Sequence, residues 1–193
     1  MSEKVNRREK IVQAATELFM DNGYQKTSVR DITNKVGCTE AALYYHFKDG
    51  KRSLFKEVIE SNIPSLMSIL EDCQGAESLY ELIMKYGQSM TRTLELRAEK
   101  FRWIVSEFPE FQNEERDIFH EKHLKFHNAM TELVRPFVSN EVQAHHIAWL
   151  ISCTGIGYMQ VFCALDMKSV ANVQPMDLLE RLAKALSAEQ SIK

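Results

Sequence analysis

Nine residues in one short stretch carry groups suited to a polyanionic groove: Thr27, Ser28, Thr39, Glu40, Ala42, Tyr44, Tyr45, His46 and Lys51. The hydroxyls, the imidazole and the ammonium of Thr27, Ser28, Thr39, Tyr44, His46 and Lys51 can donate to phosphate oxygens, a contact that positions a protein on a duplex without reading sequence. Glu40 can accept from a cytosine amino group, Ala42 can touch a thymine methyl, and Tyr45 is the third candidate for a base edge. Such contacts need a rigid element narrow enough for the major groove, and the flanking residues supply one. In SVRDITNKVGCTEAALYYHF, residues 28–47, Ser28 is placed to cap a helix, with Asp31 three positions on at its positive end. Ile32 and Val36 share a face, Gly37 suits a left-handed helix end, and Thr39 is placed to cap a second helix. Leu43 and Phe47 repeat the i, i+4 apolar pair, which turns Glu40, Ala41, Tyr44 and Tyr45 elsewhere. Two short helices with one buried stripe each, joined by a tight turn, read as a helix-turn-helix.

Charge is distributed in keeping with that reading. Residues 1–56 hold 11 Lys/Arg and 7 Asp/Glu, a balance of +4, whereas the whole 193-residue chain is at −3. A basic end on an acidic body directs only the first segment toward a polyanion. Cys38, Cys73, Cys153 and Cys163 form no CxxC pair and follow no signal peptide, so they are expected to be reduced thiols in a cytoplasmic protein. Seven glycines, four prolines and no alternating β-rich run point to an all-α fold.

The first helix is expected over Asn6–Asp21, with Ile11, Ala14, Ala15, Leu18 and Phe19 as its apolar stripe and Gly23 closing it. After the motif a long helix is expected from Lys51 to Cys73, bent at Pro64. Further helices are expected over Glu77–Glu99, Lys100–Phe108, Glu110–Val134, Glu141–Leu165 and Met176–Ala188, with Pro109, Pro136 and Pro175 at boundaries.

Over Arg8–Val58 the chain resembles the TetR family of transcriptional regulators. The likeness rests on EKIVQAATELFMDNGYQKTSVRDI, on the turn and LYYHF, and on the K-x-x-L opening of the next helix, Lys51 to Leu54. Asp49-Gly50 stand where that family usually has a single Ser or Asn, a detour that Gly50 can absorb. The resemblance implies an N-terminal three-helix DNA-binding domain over residues 1–50 and a C-terminal helical bundle over 51–193 for ligand binding and dimerisation. It also implies a homodimeric repressor that leaves a palindromic operator when a small molecule binds. The alternatives from other classes are an enzyme, metal-dependent or otherwise, and an effector-independent DNA-binding protein.

In the second segment, Ile147–Leu165 carries no charge, but Ser152, Thr154, Gly155, Gly157 and Gln160 dilute it, which favours a bundle interior over a membrane span. Ile151, Gly155, Tyr158 and Phe162, with Leu178, Leu182 and Leu186 of the last helix, are the expected dimer interface, packing inside one subunit being the alternative. Met67, Met84, Phe101, Trp103, Phe108, Phe126, His127, Met130, Trp149 and Cys153 are the candidates for an adaptable pocket, with an apolar or amphipathic effector. His120, His123 and His127 at i, i+3, i+7 share a helix face. Zinc would need further ligands, with Asp117 and Glu121 the nearest acidic residues, so the three histidines leave metal or ligand contact open, His127 being the one placed in the pocket, and no metal or cofactor is expected. Cys153 with His145 or His146 lacks the setting of a nucleophile and base, and Gly155-x-Gly157 lacks the rest of a phosphate loop, so no catalysis is expected.

Overall fold

The computed structural model describes residues 6–62 and 66–190, and of residues 94, 95, 163, 164, 168, 189 and 190 the backbone only. The described residues contain nine α-helices and no strand, as the composition requires. They are α1 Arg7–Asn22, α2 Val29–Val36, α3 Glu40–His46, α4 Lys51–Asn62, α5 Met67–Glu71, α6 Leu79–Glu107, α7 Asn113–Val134, α8 Glu141–Tyr158 and α9 Pro175–Gln190. Asn6 caps α1 by accepting from the Arg8 N–H at 3.2 Å.

Three boundaries differ from the expectation. The helix expected over Lys51–Cys73 is two, α4 ending at Asn62 and α5 beginning at Met67; Pro64, where a bend was expected, lies outside the described residues. The two helices expected over Glu77–Phe108 are one, α6, because no glycine or proline interrupts residues 88–108. Beyond Tyr158 the helix expected to Leu165 loosens into a π-helical turn, Met159–Ala164. Pro109 and Pro136 sit in 3₁₀ turns that end α6 and α7, and Pro175 opens α9, where a missing N–H costs nothing.

The chain forms two compact units, a head of Met1–Pro64 with Trp103–Phe119 and a body of Ser65–Arg102 with His120–Lys193. The head core is built on Ile11, Ala15 and Phe19 of α1, Ile32 of α2, Leu43 of α3, and Leu54, Phe55, Val58 and Ile59 of α4, closed by Trp103, Ile104 and Phe111. The boundary expected at residue 50 therefore cuts through a packed core, since α4 supplies four of its side chains.

The body core joins Leu82, Ile83, Tyr86 and Met90 of α6, Phe126, Met130 and Val134 of α7, Ala148, Ile151 and Tyr158 of α8, and Leu179, Ala183 and Leu186 of α9. Gly155 lets α8 approach α6 closely, because a Cβ there would stand 2.3 Å from the Tyr86 hydroxyl oxygen and 2.6 Å from Met90 Sδ. Four residues of the expected dimer stripe turn inward: Ile151, Gly155, Tyr158 and Leu186 face their own subunit's core, while Phe162, Leu178 and Leu182 are half-buried beside that same cluster. The opposite face of α8 is exposed and carries Val142, Trp149, Leu150 and Cys153. A helix apolar on both sides offers no polar face from which its inner side can be recognised. Among the described residues no helix is long and apolar enough to cross a membrane.

Candidate nucleic-acid interface

The helix-turn-helix is assembled by local hydrogen bonds. Ser28 Oγ accepts from the Asp31 N–H at 3.1 Å, and the Asp31 carboxylate accepts from the Ser28 N–H at 2.8 Å and from the Ser28 hydroxyl at 2.6 Å. This reciprocal capping box satisfies two donors at the start of α2 and holds the Asp31 carboxyl below its usual range, the Ser28 hydroxyl contributing most. At the far end Cys38 N–H donates to Thr33 O at 3.0 Å and Gly37 N–H to Asn34 O at 3.3 Å, a Schellman closure around left-handed Gly37. Thr39 then caps α3, accepting from the Ala42 N–H at 3.2 Å.

Leu43 and Phe47 are buried in the head and orient α3. Its other side is presented to solvent: Glu40, Ala41 and Tyr44 are exposed, Tyr45 is 82% exposed, and Ala42 and His46 are half-buried. The His46 ring lies edge-on to Tyr45, with ring centres 5.1 Å apart. Six of the nine anticipated groups thus occupy α3 or its cap, and among the described residues the one side-chain hydrogen bond found for them is the cap of Thr39.

The other three are turned to internal use. Thr27 is 2% exposed, and its hydroxyl donates to Leu18 O and Gly23 O, so it offers no phosphate contact. The Ser28 hydroxyl hydrogen goes to Asp31. Lys51 Nζ donates to Tyr24 O at 2.8 Å and Thr27 O at 2.9 Å and rests 4.1 Å above the Tyr24 ring centre, leaving one of its three N–H groups for any other partner. Burial pushes the Lys51 ammonium below its usual range, against the pull of Glu110 and Glu107. Further cations of the head are also paired, Arg8 with Glu57, Arg52 with Glu115 and Lys56 with Glu114. The cleft of about 790 Å³ lined by Asp49, Arg52, Ser53, Lys56, Gln112, Asn113, Glu114 and Glu115 therefore carries largely compensated charge. Sequence reasoning passed over Arg30 and Lys48, exposed on α2 and just beyond α3 and in none of the ion pairs found among the described residues. Their adjacency to the motif and the basic balance of residues 1–56 were the available signal.

The ligand candidates do not converge. Trp103 and Phe108 belong to the head: the Trp103 indole donates to Phe19 O at 3.1 Å, and Phe108 packs on Phe111 and Phe119. Both are corrected from pocket wall to head core. In the body, Phe126 and Met130 are buried, Met67 packs against the same cluster, and Met84 is half-buried. Phe101 is half-buried, while Trp149 and Cys153 are exposed. His127 is 2% exposed, its Nε2 lying 3.0 Å from His145 Nδ1. Among the described residues no three His, Cys, Asp or Glu side chains are grouped to hold a metal ion. Cys38, Cys73 and Cys153 are free thiols, the Cys73 thiol being pushed up to about 11 mainly by burial; the Cys163 side chain lies outside the described residues.

A capped helix pair that buries Leu43 and Phe47 and bares the opposite side of α3 has the geometry of a helix-turn-helix recognition element. Residues 11–58 match the family model described as bacterial regulatory proteins, tetR family. The HTH-type transcriptional regulator LmrA of Bacillus subtilis is 38% identical over 69 residues, 36% of this chain and 37% of that protein. The biofilm operon icaADBC HTH-type negative transcriptional regulator IcaR of Staphylococcus epidermidis is 29% identical over 83 residues, 41% of this chain and 44% of that protein. The aligned segments thus span less than half the length of these curated relatives. Over nearly the whole chain the fold is that of a TetR-like transcriptional regulator from Rhodococcus, with TM-score 0.68, 17% identity and coverage of 97% and 99%. Salmonella enterica GusR gives TM-score 0.67 at 19% identity, covering 97% of this chain and 98% of that one. Residues 11–58 are thus similar to the N-terminal segment of the tetR family of bacterial regulatory proteins, and the fold of the chain is the one its solved members have.

Proposed function

We propose that the protein is a cytoplasmic, homodimeric transcriptional regulator that binds a palindromic operator through α3 and is released by a small apolar or amphipathic effector held in the body. The observation that carries the reading is the division of α3, with Leu43 and Phe47 anchored in the head and Glu40, Tyr44 and Tyr45 turned to solvent. In this reading Tyr44, Thr39 and His46 hold phosphates, with Arg30 and Lys48 as added cations, while Glu40, Ala42 and Tyr45 meet base edges. The names of LmrA and IcaR, both HTH-type regulators, support DNA as the partner and a role other than catalysis.

One α3 reads only a few base pairs, so useful specificity needs two copies with centres about 34–36 Å apart. The exposed apolar face of α8, with Val142, Trp149, Leu150 and Cys153 at helical spacing, is the surface we assign to the second copy. Helices α6 and α7 contribute to both units and are the route by which binding in the body would reach the head. A ligand that prefers the released state a hundredfold shifts the balance by about 2.7 kcal/mol.

The test is selection of bound genomic fragments by the purified protein, followed by footprinting and sedimentation. Two protected half-sites one helical turn or a multiple of it apart, and a two-to-one protein–DNA mass, are expected. A Leu150→Lys variant should sediment as a monomer and lose the palindrome. A wild-type particle that stays monomeric on its best-enriched fragment rejects the proposal.

A further inference from the structure

Three side chains of the body form a hydrogen-bond chain whose direction is set at one end. The Trp149 indole N–H can only donate, and it donates to His145 Nε2 at 3.3 Å. That nitrogen is thereby an acceptor, so the single ring proton of a neutral His145 sits on Nδ1. His145 Nδ1 faces His127 Nε2 at 3.0 Å, which makes His127 Nε2 the next acceptor and leaves the His127 proton on its own Nδ1. His127 Nδ1 is buried and meets no hydrogen-bond partner among the described residues. The chain therefore ends on an unmatched N–H donor inside the body.

The donor is held in a defined direction. Trp149 stacks on the His127 ring at 4.0 Å with planes 21° apart, while the His145 ring meets it edge-on, at 87°. The neighbouring α7 residues Phe126, Met130, Thr131 and Val134 are buried with it, and the Thr131 hydroxyl is spent on His127 O at 2.9 Å. Burial, and after it the adjacent His145, hold the His127 imidazole below the usual histidine range, which favours its neutral form. A buried donor without an acceptor is costly, and native interiors rarely leave one.

We infer that His127 Nδ1–H is the polar anchor of an effector site, donating to a carboxylate or carbonyl oxygen whose apolar remainder lies on the side of α7 that carries Phe126 and Met130. The inference rests on the reading of the body as an effector-binding unit and specifies the chemistry of that effector: an oxygen acceptor on an apolar chain, not a cation or a pure hydrocarbon. The tautomer chain also explains why an exposed tryptophan and an outer histidine matter to a buried one, since they decide which nitrogen of His127 carries the proton.

Two measurements on the full chain test this. Long-range 1H–15N spectra of protein labelled with 15N-histidine, at pH 8, should show Nδ1 protonated in both His127 and His145; a His127 proton on Nε2 overturns the assignment. Equilibrium dialysis with decanoate, 2-decanone and decane should then show His127→Phe weakening the oxygen-bearing probes at least tenfold and decane less than twofold. His127→Gln, which keeps an N–H donor, should stay within threefold of the parent and guards against a folding artefact. Loss confined to decanoate identifies a carboxylate as the natural acceptor, and loss for both probes a carbonyl. Equal affinity of parent and His127→Phe for every probe, or no binding of either oxygen-bearing probe up to its solubility, rejects the anchor. Oxygen-dependent binding that leaves operator affinity unchanged keeps the anchor and rejects the effector reading instead.

Discussion

The Tyr44 ring lies against the backbone of Gly50, so close that a Cβ at residue 50 would stand 2.7 Å from Tyr44 Cε1. Gly50 is left-handed, at φ 59°, and its N–H donates to Phe47 O at 2.9 Å, closing the turn between α3 and α4. The two-residue Asp49-Gly50 segment is thus accommodated by one residue that can take a left-handed backbone and present no side chain to the tyrosine. Gly50→Ala should lower stability by about 1–3 kcal/mol, from positive φ and the clash together. It should also weaken operator binding by displacing Tyr44. Thermal melts and gel shifts on Gly50→Ala, Tyr44→Ala and the double variant check this. The alanine should cost less once Tyr44 is gone, and strictly additive losses would show that the ring contact contributes nothing.

Arg52 and Lys56, one turn apart on α4, pair with neighbouring glutamates in very different surroundings. Glu115 is 1% exposed and accepts from Arg52 and from the Gln112 N–H at 2.9 Å, whereas both members of the Lys56–Glu114 pair are exposed side chains. Removing one partner of a buried pair leaves an uncompensated charge, so Arg52→Met should cost about 3 kcal/mol. Lys56→Met should leave stability nearly unchanged, because solvent screens an exposed pair. Urea denaturation of the two variants measures the contrast, and Arg52→Met with Glu115→Leu should recover most of the larger loss.

Glu107 carries a pH dependence of its own. Burial raises its carboxyl above the usual range, Glu110 adds to this, and the Tyr24 N–H, 3.2 Å from Oε1, opposes it. The folded head therefore binds this proton more tightly than the unfolded chain does. Its contribution is complete below the ordinary glutamate pKa and is lost as pH rises through the elevated folded value. Glu107→Gln keeps an oxygen acceptor for Tyr24 without the charge, so its stability relative to the parent should improve from acidic to neutral pH and then level off. Denaturation midpoints collected from pH 4 to 8 report this, and a constant difference across the range would contradict it.

What could be read before the fold was known follows the range of the interactions. Ser28, Asp31, Gly37 and Thr39 act on backbone groups within five residues, so their roles as caps and turn follow from residue type and spacing. Lys51 and Trp103 could not be placed in that way. Lys51 turns inward because carbonyls of Tyr24 and Thr27 are brought to it, and Trp103 joins the head because Phe19 O, 84 residues earlier, accepts its indole proton. The Ile151–Gly155–Tyr158 stripe was recognised as a packing face but assigned to a second subunit. Periodicity identifies the stripe and not its partner, and only the fit of Gly155 against Tyr86 and Met90 resolves it.

Leu43 and Tyr45 lie two positions apart on α3 and should separate folding from recognition. Leu43 is fully buried in the head core, so Leu43→Ala should cost about 2–5 kcal/mol and lose DNA binding through unfolding of the motif. Tyr45 projects into solvent apart from its edge contact with His46, so Tyr45→Ala should leave the melting temperature within about 2 °C while lowering operator affinity. Tyr44→Ala and Glu40→Gln refine the assignment. Loss of a phosphate donor should weaken binding alike on operator and unrelated DNA, and loss of a base-edge acceptor should change which base pair is preferred. Gel shifts of the four variants over a salt series, on the enriched operator and on single-base variants of it, resolve these outcomes. If Tyr45→Ala binds the operator as the parent does at every salt concentration, the exposed side of α3 is not the reading surface.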